Sequence, residues 1–341
     1  MQRRKFIRAA ALATAGFYIS HDLLANKKGP VYGHNGMRYT LDTKWSKADA
    51  VRFPVKDCHE MVQDKKGRIF LLTNETKNNV LVYNKSGKLL NSWGTEFPGA
   101  HGLTLASEGG EEFLLITDTD KHQVYKTTPD GKILLTIDCP MDSGKYTKKE
   151  AFVPTETTVA DNGDIYIADG YGAQFISRFD RNGKLLAVFG GRGEGTAFLD
   201  NAHGITVDRR KGTPTLLVTD RTRNCFKRYS MDGELQEVIE LPGACVCRPV
   251  IRGQHLYAAV LRSPDMNGEG SGFVTILDKD NKVVSNIGGT EPKYTDGRLQ
   301  RMQQAEKLFI HPHDVCVDDD ENIYVAQWAS GKAYPYKLGR V

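Results

Sequence analysis

The sequence predicts an all-β fold: a six-bladed β-propeller over residues 31–341, closed by an N-terminal strand, behind an export segment at residues 1–30. Three observations carry that prediction. A turn with Asp or Asn beside Gly, flanked by β-formers, recurs five times at intervals of about 44 to 52 residues. An apolar strand phrase, cleanest as Ile-Tyr, precedes the turns and occurs six times. No long helical pattern interrupts them, except at Gly297–Lys307, where a helix is expected. Six four-stranded units at one period mean radial repetition, which leaves few exposed strand edges. A pair of β-sandwiches, the competing all-β layout, leaves the period unexplained.

The elements follow in chain order. Arg3-Arg4-Lys5-Phe6-Ile7-Arg8 leads into an uncharged run from Ala9 to Ile19. Eleven residues fall short of the about 20 that span a bilayer, so the run reads as a secretory signal. Its basic head resembles a twin-arginine signal, with an ordinary secretory signal or a basic helix as alternatives. The expected partner is the twin-arginine export machinery, and the expected location is periplasmic or extracellular. No other segment suits a membrane span, so no integral membrane domain is expected. Met37–Thr43 precedes the first repeat and is the candidate closing strand. The repeat turns then fall at Gly87, Gly131, Gly183, Gly233 and Asn281, and the Ile-Tyr phrase is clearest at Ile69-Phe70, Ile165-Tyr166 and Ile323-Tyr324.

Charge narrows the partners. The net charge is +4, but residues 1–30 hold six Lys/Arg and one Asp. The remaining 40 basic and 41 acidic residues are balanced, which removes the electrostatic case for nucleic acid. The six cysteines are scattered, and Cys245-Val-Cys247 is too tight for a usual CxxC pair, so most read as small core residues.

About ten residues before each Ile-Tyr phrase the inner strand of a blade begins. That slot holds His59, His101, Thr155, His203, the Cys245-Val-Cys247 stretch and His313 in turn. Four of nine histidines in one repeat slot is a pattern. His101, His203 and His313 come from alternate blades and point inward about 120° apart, which suits zinc or iron(II) with outer positions open. His59 is a fourth ligand or supports the other three; polar channel residues binding water are the plain alternative. In an antiparallel meander the ends of the second strands return to the same mouth. Asn74-Glu75, Asp118, Asp169-Gly170-Tyr171, Asp220-Arg221, Arg262 and Gln327-Trp328 should therefore surround it. Tyr171 is the candidate acid or base if a cation lowers its pKa, and Arg221 and Arg262 are candidates to hold an anionic group. Arg262 and Trp328 are the candidate substrate contacts. The recurrent aspartates have a plain reading as turn caps.

Phe189-Gly-Gly-Arg-Gly-Glu-Gly and the following Phe198–Asp208 resemble the linker and inner strand of NHL repeats. Gly99-Ala100-His101-Gly102-Leu103, Asp169-Gly170-Tyr171, Ala202-His203-Gly204, Asp220-Arg221 and Pro312-His313-Asp314 resemble motifs of the catalytic domain of peptidyl-α-hydroxyglycine α-amidating lyase. That resemblance implies a zinc ion on the channel histidines, Tyr171 as base, and a structural calcium bound by the Leu103 carbonyl and the Asp314 carboxylate. It implies cleavage of an N–Cα bond that releases an amide and glyoxylate. The chain departs from the family at Thr73-Asn74-Glu75, where the family has an arginine, at His59, where it lacks histidine, and in having no copper hydroxylase domain.

The expected function is an exported metal-dependent enzyme, a lyase for a small or peptide-like hydroxylated substrate. The alternatives are a non-catalytic binding propeller and a four-histidine iron(II) enzyme with oxygen-dependent chemistry.

Overall fold

The computed structural model of the protein describes residues 29–267 and 270–341. The segment read as an export signal lies outside the described residues up to residue 28. Blade 1 consists of Cys58–Gln63, Ile69–Thr73, Val80–Tyr83 and Leu89–Trp93, in antiparallel sequence order. Blade 2 begins at Ala100–Glu108, blade 3 at Glu156–Val159, blade 4 at Ala202–Asp208 and blade 5 at Val250–Arg252, each with four strands in the same order. Blade 6 runs Pro312–Val317, Ile323–Gln327 and Tyr336–Arg340, and its sheet continues into Met37–Asp42 and Val31–His34. Tyr39 pairs with Arg340 and Leu41 with Leu338.

The repeats show why these residues take this form. The second strands have apolar, buried centres, for example Ile69-Phe70-Leu71-Leu72. Period-two alternation sends Ile69 and Leu71 to one side and Phe70 and Leu72 to the other. The first pair packs with Cys316, Tyr324 and Ala326 of blade 6, the second with Leu103, Leu114 and Ile116 of blade 2. The same arrangement gives one apolar cluster between each pair of adjacent blades. The core is therefore a ring of six seams rather than one centre. Outer strands such as Leu89–Trp93 are half exposed.

The turn glycines Gly87, Gly131, Gly183 and Gly233 all have positive φ, and Asn281 takes the equivalent slot at φ 63°. Beside the turn in each of blades 1 to 5 the register slips by one residue, as between Val82 and Tyr83. The expectation of a helix at Gly297–Lys307 is corrected. Gly297, at φ 75°, turns a short hairpin that pairs Tyr294–Thr295 with Arg298–Leu299, and the rest is irregular. Among the described residues no helix is long and apolar enough to cross a membrane.

Candidate metal centre

The inner strands of blades 1, 2, 4 and 6 share one irregularity. Their pairing with the second strand slips between Cys58 and Glu60, Ala100 and Leu103, Ala202 and Ile205, and Pro312 and Asp314. Blade 3 pairs from Glu156 to Val159 without a slip. A bulge takes a side chain out of the strand's alternation. In each bulged blade the residue so placed is the histidine: His59, His101, His203 or His313.

All four imidazoles are buried. The rings of His101, His203 and His313 form a triangle with every centroid separation 4.9 Å. His59 joins it at 4.8 Å from His101 and 4.9 Å from His313. Measured by ligand atoms instead, the tight set is His59, His101 and His313, all within 4.8 Å of one another. His59 therefore belongs to the group as closely as His203 does.

The backbone sets the available lone pairs. His101 Nδ1 lies 2.8 Å from the Thr155 carbonyl, and His313 Nδ1 lies 3.0 Å from the His59 carbonyl. A carbonyl only accepts, so both Nδ1 atoms carry hydrogen and both Nε2 atoms present lone pairs. Nδ1 of His59 and of His203 has no hydrogen-bond partner. Burial lowers all four pKa values, that of His59 to about 3. Four neutral imidazoles gathered out of water, with orphaned nitrogens, fit a divalent zinc or iron ion.

Tyr171 covers this group. Its Oη lies 3.1 Å from His101 Nε2, 3.2 Å from His203 Nε2 and 3.3 Å from Arg221 Nη2. The turn that holds it is fixed by Asp169, which accepts hydrogen bonds from Val153 N at 2.6 Å, Ala173 N at 2.7 Å and Tyr146 Oη at 2.9 Å. Burial still raises the Asp169 pKa to about 6 against these bonds. Gly170 is required because a Cβ there would stand 2.2 Å from the Ala202 carbonyl oxygen. Arg221 lies in a single 3-10 turn, Arg221–Arg223, and is buried. Burial opposes its charge, but the Tyr171 hydroxyl and the Cys247 thiol beside the guanidinium outweigh it and raise its pKa, and among the described residues no carboxylate pairs with it. A pocket of about 250 Å³ opens over the cluster, lined by Tyr171, Arg221, Leu261, Arg262, Met266, His313 and Trp328. The expected mouth residues thus converge. Asp118 and Asp220 do not enter the pocket lining. Asp118 accepts from Gly99 N, Asp120 N and Lys121 N, and Asp220 from Asp200 N and Asn201 N, which makes them loop caps. Asn74 likewise ties to Asp57.

The expected calcium site is corrected. The Leu103 carbonyl accepts from Arg248 Nη1 at 2.8 Å, and Asp314 accepts from Arg248 Nε at 3.1 Å and Nη2 at 2.7 Å. A guanidinium meets these oxygens and supplies the positive charge that the carboxylates need. The residues do not fit calcium. Burial raises the pKa of Asp314 to about 6 and of Glu60 well above the usual carboxylate range, against the pull of Arg248. Burial opposes the charge on Arg248, but Asp314, Glu60 and Glu156 outweigh it and raise its pKa. Sequence reasoning missed Arg248, Glu60 and Glu156. The cue was the slot after the histidines, which reads Glu60, Gly102, Glu156, Gly204, Arg248 and Asp314 around the ring.

All six cysteines are buried and unpaired, and burial raises every thiol pKa.

No family model matches the chain. It is 28% identical over 270 residues to peptidyl-alpha-hydroxyglycine alpha-amidating lyase 1 of Drosophila melanogaster, covering 71% of this chain and 45% of that protein. It is 25% identical over 233 residues to NHL repeat-containing protein 3 of Homo sapiens, covering 60% of this chain and 67% of that one. The chain thus spans less than half the length of the Drosophila lyase. Among solved structures, a streptogramin B lyase superposes with a TM-score of 0.58 at 15% identity, over 88% of this chain and 97% of that one, a likeness of fold. The chain is a six-bladed propeller of NHL type, similar in sequence to peptidyl-α-hydroxyglycine α-amidating lyases and to NHL-repeat proteins.

Proposed function

We propose that this chain is a metal-dependent lyase that breaks a bond at a hydroxylated carbon of a small or peptide-like substrate in the 250 Å³ pocket. The observation that carries the reading is the position of Tyr171 Oη, within 3.3 Å of two channel histidines and of a buried guanidinium without a carboxylate partner. His59, His101, His203 and His313 would hold the ion. Bound there, a zinc or iron(II) ion supplies Lewis-acid polarisation of a substrate oxygen. Tyr171 Oη would relay the proton: its own hydrogen goes to the leaving group, which departs with the bonding electrons, and it takes the substrate hydroxyl's hydrogen as the carbon becomes a carbonyl. Arg221, otherwise an uncompensated buried charge, pairs with a substrate carboxylate. Arg262, Trp328, Leu261 and Met266 form the walls that orient the substrate and exclude water.

The names of the lyase relatives point to an α-hydroxyglycine end as the substrate group. The test is glyoxylate release from an N-acyl-α-hydroxyglycine by the metal-loaded full chain. Turnover that Tyr171→Phe abolishes supports the reading; an unmutated chain that holds metal and releases no glyoxylate removes this substrate class. The reading includes folded export by the twin-arginine route, supported by Arg3-Arg4, and metal loading before export.

The close position of His59 favours a second reading, an iron(II) enzyme on four histidines with oxygen-dependent chemistry. The identity of the bound metal separates it from the first. A third reading is a binding propeller without catalysis, in which Tyr171→Phe with Arg221→Lys leaves partner capture intact.

A further inference from the structure

Arg248 stands on the channel axis side of blade 5, directly after Cys247, with 8% of its surface exposed. Its guanidinium meets oxygens from four other blades. Nη2 donates to the Met61 carbonyl of blade 1 at 3.1 Å, and Nη1 lies 3.3 Å from Glu60 Oε2 of the same blade. Nη1 also donates to the Leu103 carbonyl of blade 2 at 2.8 Å, and Nε lies 3.6 Å from Glu156 Oε2 of blade 3. Asp314 of blade 6 takes the paired contact at 3.1 and 2.7 Å. The carboxylates are themselves held by backbone: Glu60 accepts from Leu103 N, Glu156 from Thr157 N, and Asp314 from Met61 N. Gly204 leaves the space beside Arg248, since a Cβ there would come within 2.6 Å of its Cα. Below the guanidinium a funnel of about 540 Å³ opens to the opposite face, with Arg248 in its lining.

We infer that Arg248 is a built-in cation that braces the channel in place of a divalent ion, and that removing its side chain opens a divalent-cation site made by Glu60, Glu156, Asp314 and the carbonyls of Met61 and Leu103. Three carboxylates and two carbonyls are a hard oxygen set of the kind calcium takes. A planar fork with five N–H donors can satisfy the same oxygens without metal. The brace is a positioning device as well. His59 and Glu60, and His313 and Asp314, are chain neighbours, so the contact that fixes each carboxylate fixes the strand start that carries an imidazole. The inference rests on these contacts and is independent of the lyase reading.

Thermal unfolding of the full chain, in calcium-free buffer without chelator or with excess calcium chloride, tests it. The unmutated chain is expected to unfold at the same temperature in both. Arg248→Ala is expected to unfold about 10 °C lower without calcium, because three buried carboxylates lose their counter-charge. Calcium about 100-fold above its dissociation constant is expected to raise that midpoint by about 5 °C. The double variant Arg248→Ala with Asp314→Asn is expected to lose that response, which a nonspecific salt effect would retain. A calcium-dependent midpoint in the unmutated chain overturns the proposal, and so does a folded Arg248→Ala that ignores calcium. If Arg248→Ala does not accumulate, Arg248→Lys keeps one positive charge and is expected to fold with a lowered midpoint that calcium leaves unchanged; a calcium-stabilised Arg248→Lys or unmutated chain then decides against it.

Discussion

The hydroxyl of Tyr171 and Nε2 of His101 are 3.1 Å apart, and the hydrogen between them belongs to the tyrosine. His101 Nδ1 already donates to the Thr155 carbonyl, so Nε2 can only accept. The same hydroxyl oxygen is then free to accept from His203 Nε2 and from Arg221. That assignment leaves His203 Nδ1 as a bare lone pair, in agreement with its missing partner. The His101 Nε2 lone pair that accepts this hydrogen is the one an ion would take, so metal binding would free the Tyr171 hydroxyl for the substrate. Tyr171→Phe removes only the oxygen. It is expected to lower kcat by about 10²–10⁴-fold while bound metal per chain stays unchanged. Glyoxylate release and elemental analysis on the same sample check it; an unaltered kcat contradicts the assigned role.

Arg221 is buried among neutral groups, the Tyr171 hydroxyl and the Cys247 thiol, with no carboxylate partner among the described residues. Such a charge destabilises the free protein and is retained for what it binds. Arg221→Met keeps volume and removes the charge. The expected result is a chain that unfolds at a higher temperature, by about 2–4 °C, with kcat/KM reduced at least about 100-fold. Calorimetry and kinetics on the variant report the two effects separately. A variant both less stable and fully active would contradict the account.

Asp169 supplies a pH test. Its folded pKa is raised to about 6 from 3.8, mainly by burial. The native state therefore keeps the proton longer than the unfolded chain does. The sign is the reverse of a paired surface carboxylate: stability is favoured below about pH 4 and is lost as pH rises through 6. Asp169→Asn cannot titrate. Between pH 4 and pH 7 the unmutated chain should lose up to about 3 kcal/mol relative to that variant. Urea unfolding across this range, with chelator present, measures the difference; parallel curves would show that the hydrogen bonds from Val153, Ala173 and Tyr146 outweigh burial.

Gly170→Ala probes placement without touching a reacting group. The new Cβ would meet the Ala202 carbonyl oxygen at 2.2 Å, so the turn must move away from blade 4 and carry Tyr171 with it. A displacement of about 1 Å is expected to cost about 100-fold in kcat, with the four histidines and their metal undisturbed. Equal kcat values for the variant and the unmutated chain would show that the turn is free to adjust.

The fold was legible because its signals are local and repeated. A positive-φ turn residue at Gly87, Gly131, Gly183, Gly233 and Asn281, between two β-forming runs, states the hairpin in a few residues. The histidines were legible because the repeat puts them in one slot. What that slot does not reveal is the bulge that brings His59 as close to His101 and His313 as the alternate-blade partner His203. Arg248 was hidden for two reasons. Blade 5 begins with the irregular Cys245–Cys247 stretch rather than a matching strand, and the partners of Arg248 come from four blades far apart in the chain. The expected calcium ligands Leu103 and Asp314 were found together, but around a guanidinium. The helix expected at Gly297–Lys307 failed because Gly297 turns a hairpin at its start, and Leu299 and Met302 reach the seam between blades 4 and 5 from irregular backbone.

The central claim is that the channel histidines hold a metal ion. His101 and His313 belong to both the ring triangle and the tight set of ligand atoms, so they are the residues to remove. Elemental analysis of the full chain, purified without chelator, should find about one zinc or iron per chain. That metal should fall to background in His101→Ala and in His313→Ala, with both variants folded by circular dichroism. An unmutated chain without stoichiometric metal, or variants that keep it, would contradict the claim.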